Sequence, residues 1–316
     1  MAEVNYYFSD STFNEEDEKF FCKYAKNRLI SYHYQSSLRK YIEIYRKFDG
    51  DLLNIKDYNI LIDSGAYSIW NSGKPPIDVH EYKKFCLELL ISIADLPFNR
   101  IEFINLDVIP GERNKPVTRE DVLYAQEKSL ENYLILKNFV PNLLPVFHQG
   151  DDFKYLNIIE ENTLRYCVSP ANDKSVSQRL VWIQDVFKHA NVNFKPHGLG
   201  FSNPTIAKTN PLFSFDASTH ALRAGFGVIM HPLENNLIDI VVSDVRKPEH
   251  TGTHFKNLSK FEQEKILSDL YNIDERFTYK NIRDKGKIRK MINVYNVSNF
   301  YDNFTNPDNI VQETLF

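Results

Sequence analysis

Three aspartates in this sequence end short apolar runs and are followed at once by small or turn-forming residues: Asp63 in LIDSGAYS, Asp107 in NLDVIPG and Asp216 in FSFDAST. A fourth run, LLPVFHQGD, ends in His148, Gln149 and Gly150, and a fifth, KPHGLG, carries Gly198 and Gly200. One strand-end aspartate often only caps the next helix or turn. Three, with Gly65, Gly111 and Gly150 beside them, point to a site, because glycine lets a flat ligand or a backbone amide approach closely. Two carboxyl groups across a sugar suit retaining glycosyl chemistry. One attacks the anomeric carbon, while the other protonates the leaving group and then deprotonates the incoming one. An ionised Asp also stabilises the oxocarbenium-like transition state. The Gln149 amide offers both a donor and an acceptor to a base edge.

Such residues meet only if the fold gathers strand ends. Candidate strands cover 28–34, 59–63, 101–108, 143–148, 164–169, 195–200, 212–216 and 225–230, with amphipathic stretches at 79–96, 119–139 and 175–190. Asp78 and Thr118 are good N-cap types for the first two of these. Strands alternating with helices predict an α/β fold of parallel βαβ units. Eight strands favour a (β/α)8 TIM-like barrel, with an open doubly wound sheet as the alternative. A barrel collects its C-terminal strand ends on one face, where active sites lie. His33, Asp63, Asp107, His148, Gln149 and Asp216 would then form one constellation. No Gly-x-Gly-x-x-Gly follows the first strand, so a dinucleotide fold has no direct support. The expected organisation is a barrel catalytic domain over 1–270 and a short basic, aromatic helical extension over 271–316 packed on it.

The bulk numbers fit a folded enzyme. The 316 residues are 42% hydrophobic and 25% charged, with 23 Phe and 18 Tyr to build a core. No apolar run approaches the roughly 20 residues of a membrane helix. The acidic, aromatic N-terminus does not resemble a secretory signal. A soluble protein of the cytoplasm with no membrane partner is expected. Cys22, Cys86 and Cys167 are scattered and odd in number, which predicts buried thiols rather than disulfides or a zinc site. A net charge of -4 excludes a generally basic nucleic-acid coat. One local patch remains: Arg276, Lys280, Arg283, Lys285, Lys287, Arg289 and Lys290 against Asp284, with Phe277, Tyr279, Tyr295, Phe300 and Tyr301 nearby. A charge run of this kind is either a solvated helix face or a strand-binding surface.

The ordered series DSGAYS (63–68), LDVIPG (106–111), VFHQGD (146–151), HGLGFSNP (197–204) and FSFDAST (213–219) resembles the motif series of the tRNA-guanine transglycosylases, over about residues 28–230. The resemblance implies that Asp216 is the nucleophile that forms a covalent glycosyl-enzyme and Asp63 the general acid/base. Ser64 and Gly65 would shape the sugar and base site, Asp107 and Gln149 would bond the purine edge, and Tyr67 would stack on the base. His148, Gly150, Gly198 and Gly200 would complete the substrate pocket, and Arg223 would meet a phosphate. DSGA stands where the family has Asp-Ser-Gly-Gly, and HQGD where it has a double glycine. YCVSPAND (166–173) replaces a glycine-rich element. The zinc-binding cysteines and histidine of the bacterial tRNA enzymes have no counterpart, since no Cys follows Cys167 and no His follows His254. These departures are similar to the phage DNA 7-deazaguanine transglycosylases. They imply a DNA target, with tRNA as the alternative, a free 7-deazaguanine as the incoming base, and no cofactor. Lys280, Arg283, Lys285, Lys287, Arg289 and Lys290 would bind the nucleic acid, and a homodimer is compatible with the superfamily.

Three rivals use the same residues. His33, His148, His197 and His220 with Asp216 would suit a metal-dependent barrel hydrolase, although the first strand reads SYHY rather than His-x-His. A non-catalytic partner subunit would tend to lose the acid pair. A nucleoside or glycoside hydrolase would use water in place of the incoming base.

Overall fold

The structure is a computed structural model that describes residues 4–9, 15–48, 57–171, 174–191, 193–201, 210–234, 236–245 and 252–302. By their internal contacts the described residues form two compact units: 4–9 with 26–216, and 15–25 with 217–302.

The first unit is built on one nine-stranded sheet: β1 Asn5–Ser9, β2 Asn27–Ser31, β3 Asn59–Asp63, β4 Arg100–Ile104, β5 Leu143–Leu144, β6 Val146–His148, β7 Cys167–Ser169, β8 His197–Gly198 and β9 Ser214–Ala217. Their order is β5-β4-β3-β2-β1-β9-β8-β7-β6. The pairings from β1 through β5 and from β6 through β9 are parallel. The two end strands, β5 and β6, are neighbours in the chain with only Pro145 between them. The sheet therefore curls into a nearly closed barrel. Proline has no N–H for a ladder, so the run 143–148 splits into two pieces. The Leu144 carbonyl accepts from Asn105 N–H on one side, and the Pro145 carbonyl accepts from Cys167 N–H on the other, both at 2.8 Å.

The described residues contain eleven α-helices. They are α1 Glu15–Tyr24, α2 Gln35–Phe48, α3 Ala66–Ser72, α4 Val79–Ser92, α5 Arg119–Leu136, α6 Phe153–Asn162, α7 Val176–His189, α8 Thr219–Gly225, α9 Lys260–Ile273, α10 Tyr279–Asp284 and α11 Gly286–Asp302. The expected caps are in place. Asp78 accepts from the N–H groups of His80 and Glu81. Thr118 forms a reciprocal capping box with Asp121, and Ser175, which was not among the expected caps, forms another with Gln178.

The period of two along a strand explains how the barrel interior and the site share one face. Tyr7, Leu29, Leu61, Ile104, Leu144, Val146 and Cys167, from seven successive strand segments, pack into one buried cluster. Two residues beyond Leu61 is Asp63, and two beyond Val146 is His148. Asp216 likewise stands two beyond the buried Ser214. Each polar residue thus continues an inward-facing row at the C-terminal end of its strand.

Two expectations need correction. The stretch 225–230 supplies no barrel strand: Gly225 ends α8, and β10 Val228–Leu233 pairs antiparallel with β11 Asn236–Val241 in a separate three-stranded sheet. Its place in the barrel is taken by Asn5–Ser9, which on sequence belonged only to an acidic, aromatic N-terminus with no strand expected. Its centre, Tyr6, Tyr7 and Phe8, is buried. In addition, the strand expected to end at residue 34 stops at Ser31, and 32–34 form a 3-10 turn.

The second unit combines α1, α8 to α11, β10, β11 and β12 Thr253–His254. Phe20, Ile229, Ile240, Phe255, Phe277, Met291 and Ile292 belong to its core. The boundary expected after residue 270 falls inside α9. Cys22, Cys86 and Cys167 are free and buried, as expected. Among the described residues no helix is long and apolar enough to cross a membrane.

Candidate active site

Asp63 is the last residue of β3. The Gly65 N–H donates to its Oδ2 at 3.2 Å, and the Ser31 hydroxyl at the end of β2 bonds it as well. Burial raises the Asp63 pKa most strongly. The Ser31 bond opposes that shift, the charges of Asp107 and Asp216 add to it, and the outcome is a pKa pushed up to about 7. Carboxylates 63, 107 and 216 therefore sense one another across the same barrel mouth.

The turn that aims Asp63 depends on Gly65. This residue has φ +76° and caps α3, and an added Cβ would lie 3.0 Å from Ser31 Oγ and 3.1 Å from His33 Cβ. The left-handed backbone turns the chain into the helix while keeping the Gly65 N–H on the carboxylate. Ser64, fully buried, donates its hydroxyl to Asp107 Oδ1 at 3.2 Å.

Asp107 lies three residues beyond the end of β4, not on the strand itself. Its loop is tied to α5, where Ser129 Oγ accepts from Val108 N–H and the Ser129 carbonyl accepts from the Asn105 amide. The second Asp107 oxygen, Oδ2, is 2.9 Å from His148 Nε2. His148 is also close to Asp151, whose Oδ2 accepts from the His148 backbone N–H at 2.8 Å and lies 3.7 Å from Nδ1. Burial alone would lower the His148 pKa. The bonds to Asp107 and Asp151 outweigh it and hold the pKa at about 10, so the ring is an imidazolium at neutral pH. Asp151 was missed on sequence, although it stands in the same VFHQGD motif.

Asp216, near the end of β9, is almost fully buried. The Gly200 N–H donates to its Oδ1 at 2.9 Å, and His197 Nε2 is 3.3 Å from the same oxygen. Oδ2 has no such partner among the described residues. Gly200 has φ +64°, which presents that N–H. Gly198 is forced by packing, since a Cβ there would meet the Phe201 ring at 2.5 Å.

The remaining expected residues are placed as follows. Gln149 is held by backbone: its Oε1 accepts from Ala171 N–H at 3.1 Å and its Nε2 reaches the Gln178 carbonyl at 3.4 Å. Gly150, at φ +115°, gives its carbonyl to Arg119 at 2.8 Å. Tyr67 is exposed on α3 with its ring centre 5.8 Å from that of Trp70, whose indole N–H is fixed to the Gly111 carbonyl at 2.8 Å. His33 lies on the 3-10 turn after β2. His220 is buried in the second unit. Among the described residues no group of three His, Cys, Asp or Glu is set to hold a metal ion.

No protein-family model and no curated protein matches this chain.

In the second unit the basic stretch divides by role. Lys280, Lys285 and Lys287 are exposed, Lys287 with its ammonium 3.7 Å from Asp17. Arg283 is paired with Asp284 at 2.7 Å, and Lys290 lies 6.0 Å from the centre of the Phe21 ring. Arg289 is buried and donates to the carbonyls of Ala224, Ile282 and Arg283, each at 2.8 Å. Burial lowers its pKa. Arg223 is paired with Asp239 at 2.9 Å. The aromatic residues among these charges serve the fold: Phe277, Phe300 and Tyr301 are buried, and Tyr279 stacks on Phe255.

Proposed function

We propose that this chain is a (β/α)8-barrel pentosyltransferase that replaces guanine in DNA with a 7-deazaguanine through a covalent Asp216 glycosyl-enzyme. The observation that carries this reading is the pairing of two unlike carboxyl groups at one barrel mouth. Asp63, with its pKa near neutrality, can give and take a proton. Asp216 is held through Oδ1 by Gly200 and His197, and among the described residues Oδ2 is left to attack.

In the first half-reaction Asp216 Oδ2 bonds to C1′ as the glycosidic C–N bond breaks, and the departing guanine takes the Asp63 proton. In the second, the nitrogen of the incoming base attacks C1′, the ester to Asp216 breaks, and Asp63 recovers a proton from that nitrogen. The acid must start protonated and end protonated, which a group titrating near neutral pH does with little cost in either direction. Asp107, fixed by Ser64 and by the His148 imidazolium, keeps its carboxylate available to the N–H donors of a purine edge. The exposed Lys280, Lys285 and Lys287 supply positive charge for a phosphate backbone.

The reading is tested by incubating the protein with labelled 7-deazaguanines and tRNA, single-stranded DNA or duplex DNA. Label entering DNA supports it. Label entering only tRNA moves the assignment to tRNA, and label entering no polymer rejects base exchange.

A further inference from the structure

Ser214 and Asp216 stand two apart on β9 and face the barrel interior together. His197, opposite Ser214 in the β8–β9 register, spans both: Nδ1 is 2.8 Å from Ser214 Oγ and Nε2 is 3.3 Å from Asp216 Oδ1. Behind Ser214, an Arg165 terminal nitrogen donates to Ser214 Oγ at 3.0 Å and to Glu102 Oε2 at 2.7 Å, while Arg165 Nε bonds Glu102 Oε1. A charged residue in the strand RIEFI is thus explained by a partner inside the first unit.

The direction of these bonds is fixed by donor chemistry. A guanidinium donates and never accepts, so Ser214 Oγ must accept from Arg165. Oγ can still either donate its hydrogen or accept a second one, and the Asp216 side decides between them: a carboxylate oxygen only accepts, which places a ring hydrogen on Nε2. A neutral ring then has a bare Nδ1, and the Ser214 hydroxyl gives its hydrogen to it. We propose that Glu102, Arg165, Ser214 and His197 form a one-way hydrogen-bond relay that locks His197 as the neutral Nε2–H tautomer and thereby positions the attacking oxygen of Asp216. His197 is a positioning residue here. The proposal rests on the reading of Asp216 as nucleophile.

The groups facing His197 support a neutral ring. Burial lowers its pKa most, Asp216 opposes this by hydrogen bond and charge, Arg165 lowers it further and Glu102 raises it, with a net shift downward. The Tyr7 ring meets it edge-on at 5.4 Å. A neutral donor orients the carboxylate without neutralising the charge that the oxocarbenium-like centre needs.

The test uses the full chain with histidine labelled by 15N in the imidazole, read by long-range proton–nitrogen correlation spectra, with His197 assigned by its loss in H197Q. The expected wild-type pattern is a neutral ring with a protonated Nε2 and a bare Nδ1, unchanged over about pH 6–8, the range where an unperturbed histidine titrates. S214A is expected to release the ring to mixed tautomers or to titration. Its kcat for base exchange should fall roughly 10- to 100-fold, the worth of a hydrogen bond to a charged group, while KM for the nucleic acid holds. H197Q, which keeps an N–H donor, should retain more activity than H197F. A wild-type His197 that is Nδ1-protonated or charged at neutral pH overturns the proposal, as does an S214A spectrum identical to wild type. Because the spectrum needs no substrate, a failure of base exchange and a failure of the relay are separately visible.

Discussion

Asp63 holds its proton to about pH 7 because the fold withdraws it from water and sets it near two other carboxylates. In the unfolded chain the same group ionises near 3.8. Between those values the folded state binds the extra proton, so stability falls as pH rises from about 4 and the loss is complete above about 7. Asp63→Asn removes that charge. Thermal melts are expected to show the variant more stable than wild type near pH 8 by on the order of 1 kcal/mol, about 2–4 °C in Tm, with no difference below about pH 4. The same variant should lose base exchange, and wild-type kcat/KM should decline above about pH 7 as the acid deprotonates. A variant no more stable than wild type at high pH would mean that Asp63 is ionised without cost.

At the level of elements, the turn from β3 into α3 holds the acid in place. Gly65→Ala puts an L side chain at φ +76° and a Cβ against Ser31 and His33. The expected loss is about 1–2 kcal/mol in urea unfolding. Exchange activity should fall further than stability does, because the N–H that holds Asp63 shifts with the turn. Equal, small losses in both would make the turn merely structural. This scale also shows what the sequence could and could not express. Asp63 and Asp216 were legible because each ends a short apolar run and is followed at once by small residues. Asn5–Ser9 was not, since five residues beside an acidic stretch carry little periodic signal. Residues 225–230 were apolar enough for a barrel strand, yet Val228–Leu233 pairs antiparallel with Asn236–Val241 instead. The relay to His197 needed coordinates, because Glu102 on β4, Arg165 just before β7 and Ser214 on β9 lie far apart in the chain.

Over the whole molecule, the chain is net acidic, and the basic stretch of the second unit is the place to look for contact with a polyanion. Arg289 is anchored on three carbonyls, whereas Lys280, Lys285 and Lys287 are exposed. Arg289→Met is expected to destabilise the second unit by about 1–3 kcal/mol or more, read by denaturant unfolding. The triple change of the lysines to alanine should leave unfolding unchanged. It should weaken DNA binding and flatten the dependence of log K on log salt by up to roughly 3. An unchanged salt slope would exclude this face from nucleic-acid contact. Aromatic stacking is not expected from Phe277, Phe300 or Tyr301, which are committed to packing.

The central claim is a covalent bond between Asp216 and the sugar. Intact-mass spectrometry of protein quenched in acid after mixing with a guanine-containing DNA oligonucleotide reads that bond directly. The wild-type protein is expected to gain the mass of the oligonucleotide less guanine, with the adduct mapping to Asp216 and absent from Asp216→Asn. An adduct of equal yield in Asp216→Asn, or base exchange by wild type with the adduct on another residue, would contradict the assignment.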